Sequence, residues 1–138
     1  MKMTNSTIEI NTRGFTDIHD ITGKIQSQLA QSQIKDGLIT LFIPGSTGAI
    51  TTIEYESGLL KDLPDFLEKI IPQNKSYHHD KTWGDGNGYA HLRASLLGPS
   101  LSVPVQNGKM ILGTWQQIIF IDFDNRSRQR RIVVQIIG

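Results

Sequence analysis

The chain has 138 residues, a formal net charge of +1 and no cysteine. That length suits one domain spanning residues 1–138, able to bury roughly 68–70% of the unfolded surface, and the near-neutral charge gives no global drive toward nucleic acid or an anionic membrane. Absence of cysteine excludes disulfides, thiolate metal sites and cysteine nucleophiles, so a metal would have to be held by His, Asp, Glu or backbone oxygen.

Met1 to Ser6 has no apolar signal core, and no apolar run approaches the ~20 residues that cross a bilayer, so a soluble, cytoplasmic protein with no membrane partner is expected. Ile8 and Ile10 alternate with polar neighbours as in a half-buried strand, which Gly14 breaks. Thr16 or Asp17 can then cap a helix whose stripe is Ile18, Ile21, Ile25 and Leu29, with His19 in its first turn as a solvated surface residue. Leu38 to Ile43 is nearly all apolar and reads as a strand covered on both faces. It ends at Pro44-Gly45-Ser46-Thr47-Gly48, which reads either as ordinary turn chemistry or as a cradle of hydroxyls and amides for an anion.

Ala49 to Ile53 reads as another strand, running into Glu54 and Glu56. A second helix begins at Ser57 or Asp62, with Leu59, Leu63, Phe66, Leu67 and Ile70 on its apolar face, and Pro64 predicts a loose or kinked start. Ala90 to Leu97 forms a short helix stopped by Gly98-Pro99. Leu101 to Val105 and Met110 to Leu112 flank Asn107-Gly108, a strong hairpin signal, and Ile118–Phe123 and Arg130–Ile137 complete the strands. The order predicts α+β: one domain, a mixed, mostly antiparallel twisted β-sheet sandwich with two main helices and one short helix. The arginines from Arg126 to Arg131 read as a solvated hairpin turn and edge charges on a late strand; a phosphate-binding patch is the alternative, and nucleic acid is not an expected partner.

Tyr77 to Ser95 is the richest stretch chemically. It holds His78, His79, Asp80, Asp85, His91, Arg93 and Ser95, with Gly84, Gly86 and Gly88 between the imidazoles of His79 and His91. Two imidazoles and a carboxylate suit a divalent ion; without metal they suit a general acid and base, with Arg93 holding an anion; a polar glycine-rich surface loop is the third reading. Trp115 and Gln116, beside Gly113, either floor a pocket or belong to the core. There is no HExxH, no Walker loop and no Gly-x-Ser-x-Gly elbow.

Tyr77-His78-His79-Asp80, the run Ala90-His91-Leu92-Arg93-Ala94-Ser95-Leu96-Leu97-Gly98 and Gly113-Thr114-Trp115-Gln116 together resemble the YjbQ-like, or UPF0047, family over nearly the whole chain. The resemblance implies an α+β fold, a homotrimer and a histidine-bearing polar pocket proposed to bind metal, such as Zn or Mg. It also implies weak thiamine-phosphate synthase-type activity, which joins a pyrimidine pyrophosphate to a thiazole phosphate. His79, Asp80, His91 and Gln116 fall on family positions, as does Glu54 with Glu56 as its rival in register. Gly45 stands where members usually have a histidine, so His79 and His91 are the remaining candidate ligands. The expectation is an enzyme, with or without a metal, acting on a phosphorylated small molecule, with Arg93, Ser46 and Thr47 holding phosphate and Ser95 nearby. A non-catalytic trimeric binding protein is the alternative.

Overall fold

The computed structural model describes residues 1–138. Its strands are β1 (Met3–Thr12), β2 (Asp17–Asp20), β3 (Gly37–Phe42), β4 (Gly48–Glu54), β5 (Ser100–Gln106), β6 (Lys109–Met110), β7 (Gln116–Asp122) and β8 (Arg128–Ile137); the helices are α1 (Thr22–Ser32), α2 (Ser57–Ile70), α3 (His78–Trp83) and α4 (Gly88–Leu97). The fold is α+β, as expected, and every strand pairing is antiparallel. The first sheet runs β1-β8-β3-β5-β6 and the second β2-β7-β4.

β7 explains the layering. Ile118 and Phe120 on one face join the core formed with Ile10, Ile39, Leu41, Ile132 and Val134 of the first sheet and with Ile25 and Leu29 of α1. Ile119, Ile121 and Phe123 point the other way, onto Leu67 of α2 and Tyr89, Ala90 and Ala94 of α4. The period of two therefore places the small sheet in the middle, with the large sheet on one side and helices on the other.

Several expectations change. The strand covered on both faces is β7, not β3: Ile39 and Leu41 are buried, whereas Leu38 and Phe42 are 40% and 45% exposed on the outer face. In register with them lie Ile137, Met3 and Pro104 beside Leu38, and Val133 beside Phe42. The first helix begins at Thr22, because Gly14, Phe15 and Thr16 all have positive φ and turn the chain into β2, which pairs with β7. Ile18 and His19 thus lie on a strand, and the His19 ring nitrogen meets Asp17 Oδ2 at 2.8 Å.

α2 starts at Ser57 and carries Pro64 inside it, with Glu56 as N-cap accepting from the Gly58 and Leu59 amides. β8 is not an edge strand but lies between β1 and β3. A fourth helix, α3, forms where sequence patterning gave only a loop. Asn107 and Gly108, with φ of 52° and 75°, make the expected hairpin between β5 and β6.

Candidate functional site

The chain between His79 and His91 is folded back by Asp80. Its carboxylate accepts the Tyr77 amide at the start of α3 (3.0 Å) and the Gly88 amide at the start of α4 (2.9 Å). These two N–H groups hold Asp80 below the usual carboxylate range. Gly88 is required by the junction: a Cβ there would stand 2.7 Å from Tyr77 Cβ. The two helices are thereby locked together, and the His79 and His91 rings meet with centroids 4.4 Å apart and planes tilted by 59°. Burial, and then repulsion from His79, holds His91 below the ordinary imidazole range. His79 Nε2 is buried without a hydrogen-bond partner.

The pair opens onto a cleft of roughly 400 Å³, lined also by Gly45, Ser46, Thr47, Trp83, Asp85, Asn87, Asp124, Arg128 and Arg130. Its far wall is a charge network at the end of β7 and the start of β8. Asp122 accepts from Arg130 Nε (2.7 Å), Arg130 Nη2 (3.0 Å), the Thr12 hydroxyl (2.6 Å) and the Asp124 amide (3.0 Å). Asp124 accepts from Arg128 Nε and Nη2 (3.0 and 2.6 Å), the Thr47 hydroxyl (3.1 Å), Asn87 Nδ2 (3.3 Å) and the Asn125 amide (2.8 Å). Burial pushes Asp124 up, but the Asn125 amide, Arg128 and Asn87 together hold it below the usual carboxylate range. Both carboxylates are inaccessible to solvent, and two guanidiniums balance them. Arg128 Nη1 and Arg130 Nη1 make no hydrogen bond in the protein, and Arg130 Nη1 lies 3.3 Å from where a Cβ on Gly45 would stand.

Other sequence candidates fall elsewhere. Arg93 is two residues beyond His91, so on a helix it faces the opposite side. It is 3% exposed and fully engaged, donating to the Ile71 carbonyl, Thr16 Oγ1 and Glu68 Oε2. Ser95, one helical turn from His91, shares its face and lines a side chamber of roughly 250 Å³ with Ala94, Pro99, Gly48, Gly45, Ser46 and His91. Thr47 is buried in the network, donating to Asp124 and accepting from Arg130 Nη2 at 2.6 Å.

Glu54 and Gln116 face each other at the opposite end of β4 from Gly48, about 20 Å along the strand at ~3.3 Å per residue. Gln116 binds the Gly113 amide and Thr52 Oγ1 there. Trp115 is 71% exposed, so it is neither core nor the floor of this cleft.

Asn87, Asp122 and Asp124 were not singled out from sequence, whereas Arg128 and Arg130 were read with Arg126 and Arg131 as turn and edge charges, a phosphate-binding patch being the alternative. Arg128 and Arg130 continue, at a spacing of two, the inward positions Ile132, Val134 and Ile136 of β8. The hairpin reading holds for Arg126, exposed in the turn, and for Arg131, on the outer face with Glu9 at 3.1 Å. It does not hold for the two arginines that turn inward.

As a metal centre the site is short of donors. His79 Nε2 is free to ligate, but no three His, Asp or Glu side chains gather around one point in the protomer. Asp124 is saturated by five donors, and a pair of imidazoles does not suit Mg²⁺, which prefers oxygen. The donors of one protomer therefore do not fit a resident Zn²⁺ or Mg²⁺.

The model of the family described as "UPF0047 protein YjbQ-like" matches residues 6–138. A UPF0047 protein of Archaeoglobus fulgidus is 41% identical over 128 residues, covering 93% of this chain and 97% of that protein. One from Methanothermobacter thermautotrophicus is also 41% identical, over 138 residues, covering 100% of this chain and 94% of that one. Among solved structures, a YbjQ-like protein of unknown function from Sulfolobus solfataricus superposes with a TM-score of 0.94 at 33% identity, covering 99% of this chain and 98% of that one. A family member from Clostridium acetobutylicum gives 0.87 at 34% identity, covering 96% and 99%. With the family model spanning the imidazole pair, the Gly45 loop and the charge network alike, the chain belongs to the YjbQ-like UPF0047 family.

Proposed function

We propose that the cleft binds a phosphorylated small molecule and that His79 and His91 transfer protons on it. The observation that carries this reading is the placing of the imidazole pair beside two guanidiniums whose Nη1 groups have no partner in the protein. A phosphate seated by Gly45 and Ser46 would take those Nη1 groups as charge-assisted donors, the Nε and Nη2 edges being held by Asp124 and Asp122. His91, held neutral near pH 7 by burial and by its neighbour, is the general base. A second proton on so close a pair is disfavoured by repulsion, so one ring can accept a proton while the other retains one.

The transfer implied by the family resemblance would use the same cleft but removes no proton, so an imidazole would act there as the acid that protonates the departing pyrophosphate. The thiazole nitrogen forms a C–N bond to the pyrimidine methylene as the C–O bond breaks, and pyrophosphate leaves with the electron pair. Arg128 and Arg130 would take the leaving charge. Binding without turnover is the second reading, favoured by the fact that Gly45 brings only backbone to the cleft.

A homotrimer is proposed on the outer face of the large sheet, where the rows Met3-Ile137-Leu38-Pro104 and Val133-Phe42 lack a covering layer. The functional test is titration of purified protein with inorganic phosphate, followed through the histidine NMR signals, and then release of phosphate or pyrophosphate from phosphorylated pyrimidines and thiazoles. Shifts of His79 and His91, with turnover abolished by His79→Ala and by His91→Ala, are expected. Turnover that survives both substitutions would refute the catalytic role, and phosphate that moves neither signal would refute the ligand class.

A further inference from the structure

Asn87 is the N-cap residue of α4, yet its side chain makes no capping bond. Its backbone carbonyl accepts from the Ala90 and His91 amides, while the side chain is diverted into the charge network. Nδ2 donates to Asp124 Oδ1 at 3.3 Å. An ionised carboxylate only accepts, so the amide has one orientation, with Oδ1 turned away from Asp124. That oxygen is buried and has no partner, in a residue 7% exposed that lines the cleft. An acceptor fixed in this way and left without a donor is matched by a donor on whatever fills the cleft.

We propose that Asn87 selects the substrate: its amide oxygen accepts a hydrogen bond from a hydroxyl group of the bound molecule, so the cleft takes a hydroxylated phosphate ester of the polyol or sugar type. The inference rests on the phosphate reading of Arg128 and Arg130. The cleft supports it by its polarity: Arg128 and Arg130 line it together with Asn87, Asp85 and Asp124, and it shares His91, Gly45 and Ser46 with a side chamber whose other lining residues are Gly48, Ala94, Ser95 and Pro99, none of them charged. A ligand with charge at one end and a neutral, hydroxyl-bearing remainder matches that sequence of environments. At roughly 400 Å³, the cleft is in the range of small-molecule sites.

The test measures calorimetric binding of inorganic phosphate, sn-glycerol 3-phosphate and propyl phosphate to the full chain. The two esters share charge and length and differ in hydroxyl groups. The wild type is expected to favour the glycerol ester by about tenfold or more, because a site built around a hydroxyl leaves its own acceptor unpaired with the analogue that lacks it. Asn87→Ala and Asn87→Ser should bring that ratio close to one, each ester being compared with the other within the same variant, so that any change in phosphate affinity from the lost bond to Asp124 cancels. Equal binding of the two esters by the wild type overturns the assignment of Asn87 with no need of any variant. So does a ratio that persists in a folded variant. If none of the three probes binds, the phosphate reading falls and this inference with it; if inorganic phosphate binds and the esters are not distinguished, only the inference falls.

Discussion

Replacing Arg130 by methionine keeps much of the side-chain volume but removes the guanidinium from Asp122. Asp122 is 0% exposed and the Arg130 side chain 10%, so solvent can do little to screen the carboxylate left behind. Breaking a buried pair by deleting one partner costs about 3–5 kcal/mol. With an unfolding entropy of about 2.1 cal/mol/K per residue, the 138-residue chain loses ~3.4 °C in Tm for each kcal/mol, so Arg130→Met should melt about 10–17 °C lower. The assay is urea and thermal unfolding followed by far-UV circular dichroism at one fixed protein concentration, because a change in association would itself move Tm. The double variant Arg130→Met with Asp122→Asn removes both charges and should recover more than about 2 kcal/mol relative to additivity. A single-variant cost under about 1 kcal/mol, or strict additivity in the cycle, would refute the view that this buried pair holds the end of β7 to β8.

Acidification should weaken the fold in two stages. His91 has a folded pKa below its ordinary 6.5, so the stability it contributes is present above pH 6.5 and is lost as the pH falls toward the folded value; Asp80 and Asp124, both depressed from 3.8, act with the same sign at lower pH. An NMR titration should give a His91 midpoint under 6.5 that rises in His79→Ala, and an unmoved midpoint would show that the rings do not interact. Gly88→Ala should destabilise by about 1–3 kcal/mol in chemical unfolding and weaken phosphate binding, since its Cβ would force α3 from α4; wild-type behaviour on both counts would contradict the junction described. Leu38→Lys combined with Phe42→Lys should turn an assembly into monomers by light scattering with the far-UV spectrum retained, whereas an unchanged mass would free the outer sheet face from any role in association.

Sequence periodicity located most of the strands because alternation there directly reflects burial: Ile8 and Ile10, Val103 and Val105, and the Asn107-Gly108 turn behave as their spacing predicts. It failed where two causes give one spacing. Ile18 stands three residues before Ile21 and fits a helical stripe, but the left-handed turn at Phe15 and Thr16, made without glycine at those two positions, sends Ile18 into β2. α3 was missed because a six-residue helix has little intrinsic stability and is held by Asp80 reaching Gly88, a contact absent from local pattern.

In the site, the glycine interval permitted His79 and His91 to converge without compelling it, and the bonds from Asp80 to the Tyr77 and Gly88 amides, which local pattern does not show, bring the rings together. Arg93 was misjudged by proximity in sequence, since a neighbour two positions along a helix points away, and Ser95 at four positions points the same way. Arg128 and Arg130 were legible in principle from their two-residue phase with Ile132. Charge was allowed to outweigh register, and only the buried carboxylates of Asp122 and Asp124 make an inward arginine tolerable.

The inward face of β8 passes without interruption from isoleucine and valine to arginine, so one strand serves both as keel and as one wall of the cleft. Its polar end cannot drift independently of its greasy end, and a lineage altering the charge network would have to exchange acid and base together, in matched couples. Inherited variation at positions 122, 124, 128 and 130 should therefore be concerted, leaving the exposed rim of the cleft, at Trp83 and Asp85, as the ground on which new ligand preferences can arise one residue at a time.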